Sequence, residues 1–183
     1  MINSSDIYGV VSNIKPFDAL EQKHIDDTLV WIKSGMPLFR AVDPDSLNKH
    51  LVSYCVLFDE KALKILFGDH KKSQLWLPPG GHVEIDEFPI EAARRECFEE
   101  LKIQADFWCE QPIFLTSTLT VSANAMHTDV AFWYVVKGDH REKYNFDTEE
   151  FNAIRWFDFN EIPYEKTDQN MQRFINKLGS MLE

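Results

Sequence analysis

The spacing of apolar residues first separates an N-terminal helix from the rest of the chain. Within residues 18–34 the apolar positions that recur at helical spacing are Leu20, Ile25, Leu29 and Ile32. Asp18 followed by Glu21 is typical of a capping box, and Gly35 before Pro37 is typical of a helix end. The pattern predicts an amphipathic helix that packs on the main body of the protein.

Beyond Pro44 the pattern changes to short runs rich in β-branched and aromatic residues, which are typical of strands. The predicted strands are residues 51–58, 62–67, 74–77, 114–121, 130–136 and 154–157, and the predicted helices are residues 89–101 and about 169–182. Strands mixed with helices in this way predict an α/β fold, a mixed β-sheet covered by helices on both sides. We therefore expect an N-terminal helical extension over residues 1–48 and one domain over residues 49–183.

Composition and charge limit the classes of molecule that the protein is expected to bind. The 183 residues are 44% hydrophobic, which is enough to bury the core of one ordinary domain. Nineteen basic against 30 acidic residues give a net charge of −11, which repels duplex nucleic acid and anionic membranes. The sequence contains no apolar run long enough to span a bilayer and no secretory signal pattern at its start, so a cytoplasmic location is expected. We interpret Cys55, Cys97 and Cys109 as reduced core residues.

The segment LPPGGHVEIDEFPIEAARRECFEELKI, residues 77–103, concentrates carboxylates behind a glycine turn. On a helical wheel the predicted core stripe is Ile90, Ala93, Cys97 and Leu101. Glu96, Glu99 and Glu100 share an adjoining arc and can point at one spot. Two interpretations stay open: a solvated helix face, or half of an oxygen cage for Mg²⁺ or Mn²⁺ completed by water and substrate phosphate.

The same segment resembles the Nudix box, whose pattern is G, five residues, E, seven residues, and R-E-apolar-x-E-E-x-G-apolar. The positions in register are Gly81, Glu87, Arg95, Glu96, Cys97, Glu99, Glu100 and Ile103. The six identical polar or glycine positions have a chance probability on the order of 10⁻⁷ per starting position. The sequence is thus similar to Nudix hydrolases of the MutT type over roughly residues 51–162.

This resemblance implies an α/β/α sandwich that hydrolyses a diphosphate joined to another moiety, usually a nucleoside diphosphate derivative, with Mg²⁺ or Mn²⁺. It also implies that Glu96, Glu99 and Glu100 are the catalytic and metal-binding residues and that the Gly81 carbonyl adds a ligand. Glu87 and Arg95 would be the structural pair of the box. For the general base we favour Glu99 or Glu100, with the acidic residues Asp147, Glu149 and Glu150 as the alternative.

One position departs from the family pattern, because Lys102 occupies the place of the box glycine. That glycine ends the helix in a left-handed conformation, which costs a residue with a Cβ roughly 1 kcal/mol. We expect the departure to affect the helix end and not the carboxylates.

Substrate contacts outside the box are less specific. The candidate substrate-binding residues are Arg40, Lys71, Trp76, His127 and Asp129. His127 and Asp129 could contact a base or ribose or pair with each other, Lys71 could meet a phosphate, and Trp76 could stack on a base.

Two alternatives to a hydrolase share the fold: a non-catalytic nucleotide-binding sensor, and an isomerase of isoprenoid diphosphates. The first usually lacks box glutamates, which are all present here, and the second needs a reactive cysteine in the pocket. An apolar side of the N-terminal helix left uncovered by the body would make a homodimer plausible.

Overall fold

The computed structural model describes residues 2–39, 49–121 and 126–182. The helices are α1 (Ser4–Ser12), α2 (Ala19–Lys33), α3 (Pro89–Leu101) and α4 (Met171–Ser180), with a short 3₁₀ helix at Tyr164–Lys166. The strands are β1 (Lys49–Asp59), β2 (Lys64–His70), β3 (Leu75–Leu77), β4 (Gly80–His82), β5 (Phe114–Val121), β6 (Met126–Lys137) and β7 (Phe151–Asp158). Helix α3 and strand β5 have the predicted bounds.

The strands form one mixed sheet, which confirms the predicted architecture. Its main path runs β3-β2-β1-β6-β5, with β4 paired to β1 and β7 paired to β2. Strands β1 and β6 are parallel, and the other pairs are antiparallel. Strand β1 therefore lies at the centre, next to the glycine-rich β4.

Two apolar cores lie on the two faces of this sheet, because side chains alternate along each strand. In β1, Leu51, Cys55 and Leu57 enter a core shared with α1, α2 and α3. Val52, Val56 and Phe58 enter the other core, which is closed by α4. The expected α/β/α sandwich with an N-terminal helical extension is thus present.

Several details differ from the sequence expectations. Helix α1 was not predicted, since within its nine residues only Ile7 and Val11 are buried and the apolar pattern is too short to recognise. Strand β4 replaces the predicted glycine turn: Gly80 and Gly81 disfavour strands on propensity, but both pair with β1. Strand β2 begins at Lys64 and ends at His70, so it is shifted towards the C-terminus relative to the predicted strand 62–67. Cys109 is exposed, whereas Cys55 and Cys97 are buried as expected.

A buried ion pair fastens the extension to the domain. Asp18 caps α2 as predicted, but the Glu21 carboxylate does not complete a capping box. It instead accepts hydrogen bonds from the backbone N–H of Phe17 and Leu115 and from Lys177 Nζ at 2.8 Å. Glu21 is fully buried and Lys177 is 7% exposed. The carboxylate thus joins α2, β5 and α4.

A second pair lies beside the first, where Arg173 of α4 makes two hydrogen bonds to the Asp18 carboxylate, at 2.6 and 2.8 Å. These bonds and the Arg173 charge lower the Asp18 pKa to about 2, although burial opposes the shift. The extension is therefore held through charged side chains as well as through its apolar residues Ile25 and Ile32, which are buried.

Some expectations about the extension remain predictions. The boundary near residue 48 adjoins residues 40–48, which lie outside the described part of the chain. The homodimer also stays a prediction, since Ile25 and Ile32 are covered while Leu20 and Val30 are exposed. Across the described residues, no helix combines the length and apolar character needed to cross a bilayer.

We expect Lys177→Met to lower the free energy of unfolding by about 3–5 kcal/mol, because it leaves the Glu21 charge buried without its cation. Urea unfolding followed by far-ultraviolet circular dichroism measures this value. The double variant Glu21→Gln with Lys177→Met should recover part of the loss, since the neutral amide removes the buried charge.

The matched control is Arg141→Met, because Arg141 pairs with Asp139 at 2.6 Å but its side chain is 74% exposed. It should cost far less than Lys177→Met, because water screens an exposed pair and hydrates the partner that is left behind. A loss for Lys177→Met as small as that of the control would contradict the role given to the buried pair.

Candidate active site

Helix α3 is fixed against the central strand at its first turn. Pro89 occupies the start of the helix, where its missing N–H is no loss. The buried Ser53 hydroxyl of β1 donates to the Pro89 carbonyl at 2.7 Å. The predicted core stripe is buried, with Ile90 only partly so. This anchoring sets the rotation of the helix and hence the direction of its glutamates.

The two glycines of β4 bring backbone directly against two of those glutamates. Gly81 pairs with Ser53 in the sheet, and a Cβ on Gly81 would overlap the Glu96 carboxylate. The Gly80 N–H donates to Glu100 Oε2 at 3.0 Å. At Gly81 the Glu96 carboxylate occupies the space that a Cβ would need, and at Gly80 a Cβ would overlap the Ser53 carbonyl and Tyr54, so both positions favour glycine.

Arg95 ties the box loop to the helix. Its guanidinium donates to both Glu87 oxygens, at 2.9 and 3.0 Å, and to the His82 carbonyl at 2.9 Å. It also donates to Glu96 at 2.7 Å and approaches Glu99 at 3.3 Å. Burial alone would raise the pKa of Glu87, but the Arg95 hydrogen bonds hold it below its usual value. This is the geometry of the structural pair that the resemblance implies for Glu87 and Arg95, and we call these contacts of Arg95 the brace.

Negative charge is only partly compensated at the buried glutamates. Glu100 is 7% exposed, and burial, reinforced by the charge of Glu96, raises its pKa to about 8. Burial also raises the pKa of Glu96, although Arg95 opposes the shift. Asp147 and Glu150 add further negative potential at Glu100.

A hard divalent cation fits this donor set. Glu96 and Glu100 offer carboxylate oxygens beside the Gly80–Gly81 backbone, and Mg²⁺ and Mn²⁺ prefer such ligands. Glu99 lies further out, with a side chain 54% exposed. Among the described residues the three glutamates do not bring their oxygens within 4.8 Å of one another, since Glu96 and Glu99 turn to Arg95 and Glu100 to Gly80.

A cavity of about 180 Å³ opens beside these carboxylates. Its lining includes Pro78, Gly80, Gly81, His82, Glu100, His127 and Asp129. A larger cavity of about 550 Å³ lies near Phe58 and His140, at the far end of β1 from Gly81. We place the candidate site at the smaller cavity because the box residues Gly81 and Glu100 line it.

Three histidines and one aspartate converge at the edge of the smaller cavity. His50 Nε2 lies 2.7 Å from Asp129 Oδ1 and 3.1 Å from His82 Nε2. His127 Nε2 lies 3.4 Å from the same Asp129 oxygen. Burial would raise the Asp129 pKa, but hydrogen bonds from His50 and Thr120 hold it below its usual value. The pairing of His127 with Asp129, one of the two sequence alternatives, is present.

The other candidate substrate residues are more dispersed. Lys71 Nζ donates to the Thr148 carbonyl, and its backbone N–H donates to Glu150. Trp76 packs edge-on against Phe157 at 5.2 Å between ring centroids. Arg40 lies outside the described residues. Of the four candidates that the structure describes, His127 and Asp129 line the smaller cavity, and Lys71 and Trp76 do not.

Sequence reasoning missed His50 and His82 as site residues. His82 follows the two glycines directly, and that adjacency is the one signal that could have identified it. His50 stands alone at the start of an apolar strand and gives no signal. The pairing of β1 with β4 brings these two imidazoles together, and the pairing of β1 with β6 adds Asp129.

Lys102 adopts the conformation expected for the box glycine. Its φ and ψ are 58° and 29°, in the left-handed region, and its N–H donates to the Phe98 carbonyl at 3.0 Å. Its Nζ donates to the Glu99 carbonyl at 2.7 Å. The side chain thus satisfies one free carbonyl at the helix end and offsets part of the backbone strain.

The chain matches the family model for the NUDIX domain over residues 48–178. This match covers most of the sequence, so the chain belongs to the Nudix family, and the predicted membership of the Nudix hydrolases is confirmed. Enzymes of this family generally use divalent metal ions. No curated protein matches the sequence significantly.

Solved structures show the same fold. A NUDIX family hydrolase from Clostridium perfringens has 22% identity and a TM-score of 0.56, covering 75% of this chain and 100% of that chain. The dihydroneopterin triphosphate pyrophosphohydrolase of E. coli has 18% identity and a TM-score of 0.55, covering 70% and 97%. A C. elegans Ap4A hydrolase has 18% identity and a TM-score of 0.54, covering 72% and 97%.

We expect Lys102→Gly to raise the free energy of unfolding by up to about 1 kcal/mol, because glycine adopts the left-handed conformation without the Cβ penalty. Divalent-ion affinity, measured by isothermal titration calorimetry, should change less than about twofold, since the carboxylates keep their positions. Lys102→Ala is the control: it removes the same amine but keeps the Cβ, so it should not stabilise. A Lys102→Gly protein that no longer bound the ion would contradict this account.

Proposed function

We propose that the protein hydrolyses a phosphoanhydride bond in a nucleoside diphosphate linked to another moiety, with Mg²⁺ or Mn²⁺ as cofactor. The observation that supports this most is the placement of Glu96 and Glu100 beside the Gly80–Gly81 backbone, next to a cavity lined by Glu100 and Gly81. Glu96, Glu100 and the Gly81 carbonyl would hold a cation there, and the cation would supply positive charge to a diphosphate in the cavity.

Each box residue has a distinct task in this proposal. Glu96, Glu99, Glu100 and the Gly81 carbonyl hold the ion, while Arg95 and Glu87 keep the loop against α3. The ion would neutralise the phosphate oxygens and lower the pKa of a bound water. The Glu99 side chain lies closest to solvent of the three, so we expect it to turn from Arg95 towards the ion on binding.

For the general base we propose Glu100. It lines the cavity and is buried, whereas Glu99 is more than half exposed and is held by Arg95. In the acidic turn of residues 147–150, Glu150 is already paired with Lys72 at 2.9 Å and lies 3.4 Å from His70. Glu100 therefore needs no rearrangement of an ion pair, and the positive charge of a bound cation would favour its ionised form, which can accept a proton from a water in the cavity.

The proposed substrate is a small nucleotide derivative: a nucleoside diphosphate joined to another nucleotide, a nucleotide sugar, ADP-ribose or a nucleoside triphosphate. One structural neighbour is named for Ap4A, a dinucleoside polyphosphate, and another for dihydroneopterin triphosphate, a pterin triphosphate. A cavity of about 180 Å³ is below the usual 300 Å³ of small-molecule sites, so it suits the diphosphate and leaves the nucleoside at its mouth. We propose His127 and Asp129 for contacts there, and Arg40, Lys71 and Trp76 remain predictions.

The net charge of the protein bears on which other molecules it binds. A net charge of −11 opposes binding to duplex nucleic acid and favours a substrate that arrives with its cation. A cytoplasmic location is part of the same proposal. A non-catalytic nucleotide sensor remains the second candidate, and it predicts binding of nucleotide derivatives without turnover.

We expect Glu100→Gln to fold as the parent does and to lose about 10²–10⁴-fold in turnover, because the amide can still accept from Gly80 N–H but cannot take up a proton. The assay is phosphate or monophosphate release from nucleoside triphosphates, nucleotide sugars, ADP-ribose and dinucleoside polyphosphates, with and without Mg²⁺. Removal of the ion by a chelator should abolish release.

The matched control is Glu91→Gln on the same helix, because Glu91 is exposed and pairs with Arg94 at 3.3 Å. It should keep parental turnover. Full turnover by Glu100→Gln on a substrate that the parent hydrolyses would refute the role of Glu100. Saturable binding of a nucleotide without release from any member of the panel would favour the sensor.

A further inference from the structure

The cluster of His50, His82, His127 and Asp129 has a geometry that hydrogen bonding explains poorly. His50 Nε2 faces two atoms at once, Asp129 Oδ1 at 2.7 Å and His82 Nε2 at 3.1 Å. A neutral imidazole carries one proton, and that proton would have to serve both neighbours in a bent, shared bond. The other ring nitrogen of His50, Nδ1, makes no compensating hydrogen bond, since it is buried and has no partner among the described residues.

A single cation between His50 Nε2, His82 Nε2 and Asp129 Oδ1 could accept a lone pair from each of these three atoms. The ligand atoms of His50, His82 and Asp129 all lie within 4.8 Å of one another. In a tetrahedral zinc site with bonds of about 2.0–2.1 Å, neighbouring ligand atoms lie about 3.3 Å apart. The two measured separations of 2.7 and 3.1 Å are slightly shorter, so small outward movements of the rings would admit the ion.

The surroundings favour a metal site as well. Asp129 Oδ2 accepts from the Thr120 hydroxyl at 2.7 Å, which fixes the carboxylate and leaves Oδ1 for the ion. Strand pairing supplies the rigidity, because His50 is paired with Asp129 across β1 and β6 and His82 is paired with Val52 across β4 and β1. The ring of His50 is stacked on that of His127 at 5.0 Å, which holds a further imidazole at the edge.

We propose that His50, His82 and Asp129 form a second metal site, selective for a nitrogen-preferring transition ion such as Zn²⁺ and separate from the carboxylate site of α3. Imidazole ligands suit zinc and similar ions, whereas Mg²⁺ prefers oxygen alone. Three protein ligands leave a coordination position open, as in zinc sites that bind water or substrate. His82 and Asp129 line the cavity, so that position would be accessible to a ligand bound there.

The second cluster with metal-ligating residues, Asp59, Asp139 and His140, does not carry the same inference. Asp59 accepts from His140 Nδ1 at 2.7 Å and from the backbone N–H groups of Lys61, Ala62 and His140 at 3.0–3.1 Å. Its oxygens are therefore already used to shape the surrounding loops.

The inference does not depend on the proposed hydrolysis, and its test measures metal binding directly. The metal-free full-length protein is titrated with Zn²⁺ in excess Mg²⁺ by calorimetry, and Co²⁺ replaces Zn²⁺ in a parallel absorption measurement. We expect one tight Zn²⁺ equivalent and the strong visible bands of four-coordinate Co²⁺, in contrast to the weak bands of a six-coordinate oxygen site.

His82→Gln and Asp129→Asn should each weaken the tight Zn²⁺ binding by about a hundredfold or more, since loss of even an outer partner costs 10–100-fold. Both side chains are only partly buried, and thermal unfolding verifies that the variants fold. His70→Gln is the matched control, because His70 lines the same cavity outside the cluster. It should bind Zn²⁺ as the parent does, and so should Glu96→Gln.

Two results would overturn the proposal. One is the absence of tight Zn²⁺ binding to the parent protein. The other is Zn²⁺ binding that survives in folded His82→Gln and Asp129→Asn but disappears in Glu96→Gln, because the ion would then occupy the carboxylate site. Loss of hydrolysis in any variant does not enter this test, so failure of the proposed function and failure of the metal site are distinguishable.

Discussion

The guanidinium of Arg95 is the contact on which the candidate site depends. It joins three parts of the box that the chain keeps apart: the carboxylate of Glu87 in the loop, the carbonyl of His82 at the end of β4, and the glutamates of α3. A planar group with several donors can hold such partners at once, whereas a lysine would hold them as a single point charge. Without this brace the loop and β4 would lose their tie to the helix, and the glycines would no longer lie against Glu96 and Glu100.

The brace also explains how so much negative charge is tolerated. Arg95 offsets part of the charge of Glu87, Glu96 and Glu99. Within the described residues, by contrast, the Glu100 carboxylate has a backbone N–H as its one hydrogen-bond donor, and further acids lie near it. Burying a carboxylate with so little compensation is unfavourable, and proteins retain such groups mainly where a ligand or a reaction needs them. The raised pKa of Glu100 and its position in the cavity wall are therefore consistent with a cation-dependent role.

The N-terminal extension is integrated with the domain. The buried pair of Glu21 and Lys177 links α2 to α4, and Glu21 also accepts from β5, so one carboxylate connects elements more than 90 residues apart. Removing either partner would leave the other buried and unpaired. The pair therefore favours the one docked position of the extension in which both charges meet. Helix α2 thus packs on the domain and covers one of the two cores. Its apolar residues Leu20 and Val30 are exposed.

The sequence by itself determined the family, the bounds of α3 and β5, the core stripe of α3, the Glu87–Arg95 pair and the left-handed position of Lys102. These depend on local periodicity and fixed spacing, which are properties of neighbouring residues. Tertiary structure alone decided which glutamates are buried, where Glu21 directs its carboxylate, and that His50, His82 and Asp129 converge. Those outcomes depend on strand pairing between segments 30 to 80 residues apart and on helix docking, which no local pattern encodes.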